Sequence, residues 1–74
     1  MNATTKIRQQ LTTIMREGDA MACSIWKGWG GEAEGWHYTP FGERSVFIGR
    51  NMAEVMEYFE QVREYQEEVK AGRA

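Results

Sequence analysis

The chain has few of the residues that disulfides, metal sites and catalytic centres require. It contains one cysteine, Cys23, one histidine, His37, and one proline, Pro40, among 74 residues. A single cysteine cannot form an internal disulfide. One cysteine and one histidine separated by fourteen positions match no zinc-ligand spacing. We therefore expect neither a metal nor another cofactor.

Long apolar runs are also missing. No segment approaches the run of about 18 apolar residues that a transmembrane helix needs. Residues 1–10 lack the basic stretch followed by an apolar run that marks a secretory signal. A chain of 74 residues is typical of one small domain with a thin core. These features predict a single cytoplasmic domain over residues 1–74 that makes no membrane contact.

Positive charge is scarce in the last third of the chain. Residues 51–69 carry six glutamates and one arginine, Arg63, within a whole chain of net charge −2. The pI near 5.3 disfavours a protein that depends on phosphate contacts. The glutamates recur along the predicted solvated face of a helix. Three of them, Glu57, Glu60 and Glu64, are candidates for steering association with a basic partner surface.

The spacing of apolar residues predicts a helix near each end of the chain. In residues 4–17 the apolar side chains recur every three or four positions, which places them on one helical face. Residues 51–69 repeat this pattern. Asn51 is a favourable N-cap there, and Glu54 three residues later completes a capping-box spacing.

Between the two helices the pattern changes to short segments typical of β-strands. Three strands are predicted, over residues 20–27, 36–39 and 44–49. Four glycines within residues 28–35 predict an adaptable loop, and residues 40–43 predict a tight turn. Connections this short favour antiparallel neighbours.

The predicted order α-β-β-β-α indicates an α+β fold. We expect a two-layer sandwich, in which a three-stranded antiparallel sheet packs both helices on one face and leaves the other face open. The apolar positions predict one shared core that contains Ile7, Leu11, Ile14, Cys23, Ile25, Val55, Phe59 and Val62.

The order of elements resembles the double-stranded-RNA-binding fold and the small toxins that share it. The resemblance is topological. Residues 51–54 read Asn-Met-Ala-Glu, where such RNA binders carry lysines at the start of the second helix. The Gly-Ser-His strand motif of the related toxin nucleases is also absent. The resemblance therefore implies a fold and no function.

Neither His37 nor Cys23 has the surroundings that catalysis needs. A general base requires a positioned partner, and no carboxylate neighbours His37 on its strand, so we predict a solvated strand histidine. Cys23 shares its predicted strand face with Met21 and Ile25, which predicts a small buried side chain rather than a nucleophile. The chain is therefore expected not to be an enzyme.

Aromatic residues are the strongest functional signal. Five of them lie within sixteen residues: Trp26, Trp29, Trp36, Tyr38 and Phe41. Two helices cover only one face of the sheet, and a domain this small cannot bury all five rings together with the helix stripes. Exposed tryptophan and tyrosine are common anchors of protein interfaces. We therefore predict a binding surface on the open sheet face and its loops.

These observations predict a small non-enzymatic protein–protein interaction module. In size and composition it is similar to the small inhibitors and regulators of phages and mobile elements, anti-CRISPR proteins among them. The alternative is a nucleic-acid-binding domain that stacks bases on the aromatic face, with Lys27, Arg44 and Arg50 at its rim. Two variants also stay open: a symmetric homodimer through the same face, and a small-ligand site in a homodimer around the glycine-rich loop.

Overall fold

A computed structural model of the chain describes residues 2–72. Its helices are α1 (Ala3–Leu11), α2 (Glu17–Ala22) and α3 (Met52–Lys70), and its strands are β1 (Ser24–Gly28), β2 (Gly35–Thr39) and β3 (Val46–Gly49). A short 3-10 turn spans Gly31–Ala33. The strands form one antiparallel sheet in the order β1-β2-β3. The predicted α+β class and three-stranded antiparallel sheet are confirmed, in the order α-α-β-β-β-α.

The first predicted helix, residues 4–17, ends earlier than expected. α1 stops at Leu11 and is followed by a turn in which the Thr12 and Thr13 hydroxyls donate to carbonyl oxygens three residues earlier, each at 2.6 Å. Such side-chain bonds offer the backbone an alternative to continued helix hydrogen bonds. Ile14 lies in this turn and packs against the core like the apolar residues of α1. The apolar spacing therefore continues beyond the end of the helix.

A second helix replaces the first half of the strand predicted over residues 20–27. α2 ends at Ala22, and β1 starts only at Ser24. Met21, expected on the covered strand face, is exposed on this helix. The Arg8 guanidinium donates from α1 to the carbonyl oxygens of residues 20, 21 and 23, at 2.9, 3.4 and 3.0 Å. It thereby satisfies carbonyls that a helix end leaves without partners.

α3 begins where its capping residues predict. The Asn51 side-chain oxygen accepts from the Glu54 backbone N–H at 3.0 Å, and the Glu54 carboxylate accepts from the Arg50 N–H at 2.9 Å. Further along, the Arg63 guanidinium donates to the Gln10 side-chain oxygen at 2.7 Å. This bond ties α3 to α1. Within residues 2–72, no helix has the length and apolarity that a membrane span requires.

The hydrophobic core lies between the sheet and the helices. Its buried members are Ile7, Leu11, Ala20, Cys23, Tyr38, Ile48, Val55 and Phe59. Five of the eight expected core residues are among them. The expected Ile14 and Ile25 are only partly buried and pack against this cluster, and Val62 is also only partly buried. Tyr38, predicted as a binding residue, belongs to the core instead.

Candidate interaction surface

The open face of the sheet carries three aromatic rings in contact. Trp26 on β1 pairs with His37 on β2, and His37 pairs with Phe47 on β3. The Trp26 and His37 rings are parallel, with centroids 4.0 Å apart and 4° between their planes. The Phe47 ring meets His37 edge-on, at 5.3 Å and 66°. Both arrangements are favourable aromatic geometries, and we call these three residues the aromatic stack.

His37 is the enclosed member of the aromatic stack. It is 8% exposed, whereas Trp26 is 37% and Phe47 is 46% exposed, so the prediction of a solvated histidine is wrong. The His37 Nε2 lies 2.8 Å from the Ala33 carbonyl oxygen. Because a carbonyl oxygen only accepts, Nε2 carries the proton and donates it. His37 thus holds the 3-10 turn against the sheet.

Glycines at the end of the β1–β2 hairpin are required for close packing. A Cβ at Gly28 would collide with the Ala33 carbonyl oxygen. Gly35 has φ +125°, and a Cβ there would lie 2.7 Å from the Phe47 ring. The hairpin loop was expected to be adaptable throughout. At these two positions glycine instead lets the loop and the aromatic stack approach closely.

Trp29, in the hairpin loop, is the most exposed tryptophan at 78%. The Lys27 ammonium lies 4.5 Å from the centroid of its ring and 5.7 Å from that of Trp36, both within cation–π range. Trp36 pairs with Lys27 and lies on the covered face, where it is partly buried against the core. Trp36 is therefore not part of the open face, on which it was predicted to be an anchor.

Two further predicted anchors differ sharply in exposure. Tyr38 is 7% exposed, and its hydroxyl lies 3.5 Å from that of Tyr58. Burial, together with the bond to Tyr58, raises the pKa of Tyr38 well above its usual range. Phe41, in the β2–β3 turn, is 88% exposed.

Sequence reasoning missed Phe47 as a binding residue, although strand alternation in Val46-Phe47-Ile48 places it opposite its apolar neighbours.

The acidic residues of α3 lie away from the aromatic stack. Glu57, Glu60 and Glu64 are all exposed, and the Glu57 carboxylate accepts from the Gln61 amide at 3.3 Å. Since α3 packs on the covered side of the sheet, its outer face points away from the open side. The two predicted binding surfaces are therefore on opposite sides of the molecule.

The three basic residues of the nucleic-acid alternative are exposed but dispersed. Lys27 on one edge strand and Arg50 after the other edge strand are at the same end of the sheet, because Trp36 pairs with both Lys27 and Gly49. Arg44 precedes β3 and lies at the other end. They frame the sheet without forming the continuous stripe that is typical of phosphate binding.

Among residues 2–72, no three histidine, cysteine, aspartate or glutamate side chains converge on a point that could hold a metal ion. Every buried side-chain nitrogen or oxygen in this range has a hydrogen-bond partner.

Comparisons of the chain with protein-family models, curated proteins and solved structures gave no match.

Proposed function

We propose that the chain is a small non-enzymatic module that binds another protein through its open sheet face. The supporting observation is the aromatic stack, which presents Trp26 and Phe47 on this face, together with the exposed Trp29 in the loop that follows β1. Large aromatic side chains of this kind are the usual anchors of protein interfaces. We further propose that the chain is a cytoplasmic inhibitor or regulator of the phage or mobile-element type, since such a protein acts by covering a partner's surface.

The two parts of the surface suit different tasks in binding. Trp26 is held by its contact with His37 and by a hydrogen bond from its indole N–H to the Thr39 hydroxyl at 3.1 Å. A side chain already held in place loses little entropy when a partner docks. Trp29 lies in the loop, is 78% exposed and contacts the Lys27 ammonium, so its ring has room to change orientation and fit the partner. The aromatic stack is the rigid platform, and Trp29 is the adaptable anchor.

The acidic face of α3 contributes to the rate of association in this proposal. Glu57, Glu60 and Glu64 are exposed on the side opposite the aromatic stack. Charges outside a contact surface change long-range attraction more than the stability of the final complex. The association rate with a partner that has a basic surface should therefore be higher at low salt.

Nucleic acid and a second copy of the chain are the competing occupants of the same surface. The Lys27 ammonium beside the exposed Trp29 ring would suit a base stacked on the indole and a neighbouring phosphate. Against this, Lys27, Arg44 and Arg50 are dispersed, and residues 51–69 carry a net charge of −5. A protein partner places no such requirement on the basic residues.

The deciding experiment compares matched variants in an affinity capture from the native host. The immobilised chain is used to identify the bound protein, and its affinity is then measured by titration. Trp29→Ala and Phe47→Ala should each weaken binding by about 2 kcal/mol, the usual threshold for an interface anchor. Tyr65→Ala, which removes an exposed ring from α3, should leave the affinity unchanged.

Two outcomes would contradict the proposed surface. In one, Glu57→Gln and Glu60→Gln still lose affinity at high salt, where long-range attraction is screened, while both aromatic variants bind normally. This result would place the contact on α3. The other is tight, salt-dependent binding of single-stranded DNA that Trp29→Ala abolishes, which would favour the nucleic-acid alternative. Sedimentation of the chain alone separates a homodimer from a hetero-complex.

A further inference from the structure

A groove lies between α2 and the β2–β3 turn, at the opposite end of the sheet from Trp29. Its volume is about 570 Å³. Cys23 and Tyr38, both buried core residues, form its floor, and the more exposed Met15 and Phe41 line it further out. The groove is therefore apolar at depth and has an accessible aromatic ring at its rim.

Two carboxylates from different elements also line the groove. Asp19 comes from α2 and Glu43 from the β2–β3 turn, and both are exposed. Burial raises the pKa of the Cys23 thiol above its ordinary value, Arg8 lowers it, and Asp19 and Glu43 raise it further. Arg8 is engaged by backbone carbonyls around the end of α2 and does not line the groove.

We propose that this groove binds an arginine side chain of a partner protein. The apolar stem of an arginine suits the Met15 side of the groove, and its planar guanidinium can stack on the Phe41 ring. The same guanidinium has enough donors to serve both Asp19 and Glu43. A lysine ammonium is a compact charge that stacks less well, and an anionic group is repelled by the two carboxylates.

The probe is the capped tripeptide acetyl-Gly-Arg-Gly-amide, titrated into the isotope-labelled full chain and followed by NMR. The matched control peptide contains citrulline, which has nearly the shape of arginine but no charge. The arginine peptide should shift the amide signals of Cys23, Phe41 and Glu43, and the citrulline peptide should not. Equal responses to the two peptides, or shifts elsewhere only, would overturn the proposal. A third peptide, acetyl-Gly-Lys-Gly-amide, should bind more weakly, and equal affinity for it would overturn the choice of arginine.

Substitutions in the groove test the same contact from the protein side. Asp19→Asn combined with Glu43→Gln should weaken peptide binding by at least about threefold, as expected for exposed charge pairs. Glu57→Gln combined with Glu60→Gln changes the net charge equally on α3 and should leave binding unchanged. Phe41→Ala should also weaken binding, and its ring is too exposed to contribute to the core. Equal losses in the groove and α3 variants would show a general charge effect and overturn the proposal.

The proposal rests on the proposed function only in assigning the arginine to a protein partner. The two are separable, because Trp29 is at the other end of the sheet and Trp29→Ala should bind the arginine peptide normally. Failure of the peptide to bind overturns the groove assignment and leaves the aromatic surface unaffected. Failure of the Trp29 and Phe47 variants to weaken partner binding overturns the aromatic surface alone.

Discussion

Trp26, Trp29 and Trp36 stand in three different environments. Trp26 is stacked on His37, Trp29 is 78% exposed in a loop, and Trp36 is partly buried on the covered face. Truncation of each should therefore have a different effect. Under the proposed function, loss of Trp29 should affect binding more than the fold, whereas loss of Trp36 should mainly affect packing. Loss of Trp26 should affect both, since its ring shields His37 and remains partly accessible.

The two glycines Gly28 and Gly18 offer a matched test of how the hairpin supports the aromatic stack. Gly28→Ala should destabilise the fold by about 1–3 kcal/mol, because the new methyl group meets the Ala33 carbonyl oxygen that binds His37. Gly18→Ala meets no atom within 4 Å and lies in α2, so it should be neutral or stabilise by up to about 1 kcal/mol. Urea unfolding of both variants checks this. A neutral Gly28→Ala would mean that the turn is not packed against the sheet.

Among the helices, α2 has the least support from its own residues. It has six residues, far below the length at which an isolated helix is stable in water. Its N-cap Arg16 makes no side-chain capping bond, and its only buried residue is Ala20. The Arg8 guanidinium, which reaches carbonyls around its C-terminal end, is therefore the main polar contact that positions α2.

Arg8→Met keeps most of the apolar stem but removes the donors that bind the end of α2. We expect the free energy of unfolding to fall by about 1–2 kcal/mol, the usual effect of losing bonds from a charged donor. Amide hydrogen exchange in residues 17–22 should accelerate more than in α3. Lys6→Met, an exposed change on the same helix, is the control and should alter neither quantity. Unchanged exchange in α2 would show that Arg8 does not hold it.

At the scale of the whole molecule, stability comes from a small core that contains two ionisable groups. Cys23 and Tyr38 are both buried, and burial raises the pKa of each above its ordinary value. The folded state therefore favours their neutral forms. In the unfolded chain they lose their protons near pH 8.5 and about pH 10. Their contribution to stability is complete below those values and is lost as the pH rises above them.

Tyr38→Phe tests this alkaline dependence. At about pH 7 the variant should lose less than about 1 kcal/mol, because the Tyr38 hydroxyl is 3.5 Å from that of Tyr58 and the contact is weak. Above about pH 10 its stability should fall less steeply than that of the wild type, since one ionisation is removed. Tyr65→Phe changes an exposed ring and should keep the wild-type slope. Urea unfolding across this pH range, under reducing conditions, measures the difference. Parallel slopes for all three proteins would contradict it.

Local signals in the sequence were sufficient for several features of the fold. The capping residues Asn51 and Glu54 and the apolar stripe behind them mark α3, and the short turns between strands predict an antiparallel sheet. Phe59 was placed in the core from helical spacing alone. These features depend on residues only a few positions apart, so their physical causes lie within short segments. The excess of glutamate in residues 51–69 likewise needs no tertiary information.

Contacts between distant segments decided the remaining features, namely α2, the burial of Tyr38 and the aromatic stack. The end of α2 is bound by Arg8, which is twelve to fifteen positions from the carbonyls to which it donates. Strand alternation separates Tyr38 from His37 but does not say which of them the helices cover. The strand register and the packing of α1 and α3 together bury Tyr38 and bring three separate strands' rings into the aromatic stack. The composition determined that aromatic side chains would be exposed, and tertiary packing decided which ones, because exposure depends on what lies above each face of the sheet.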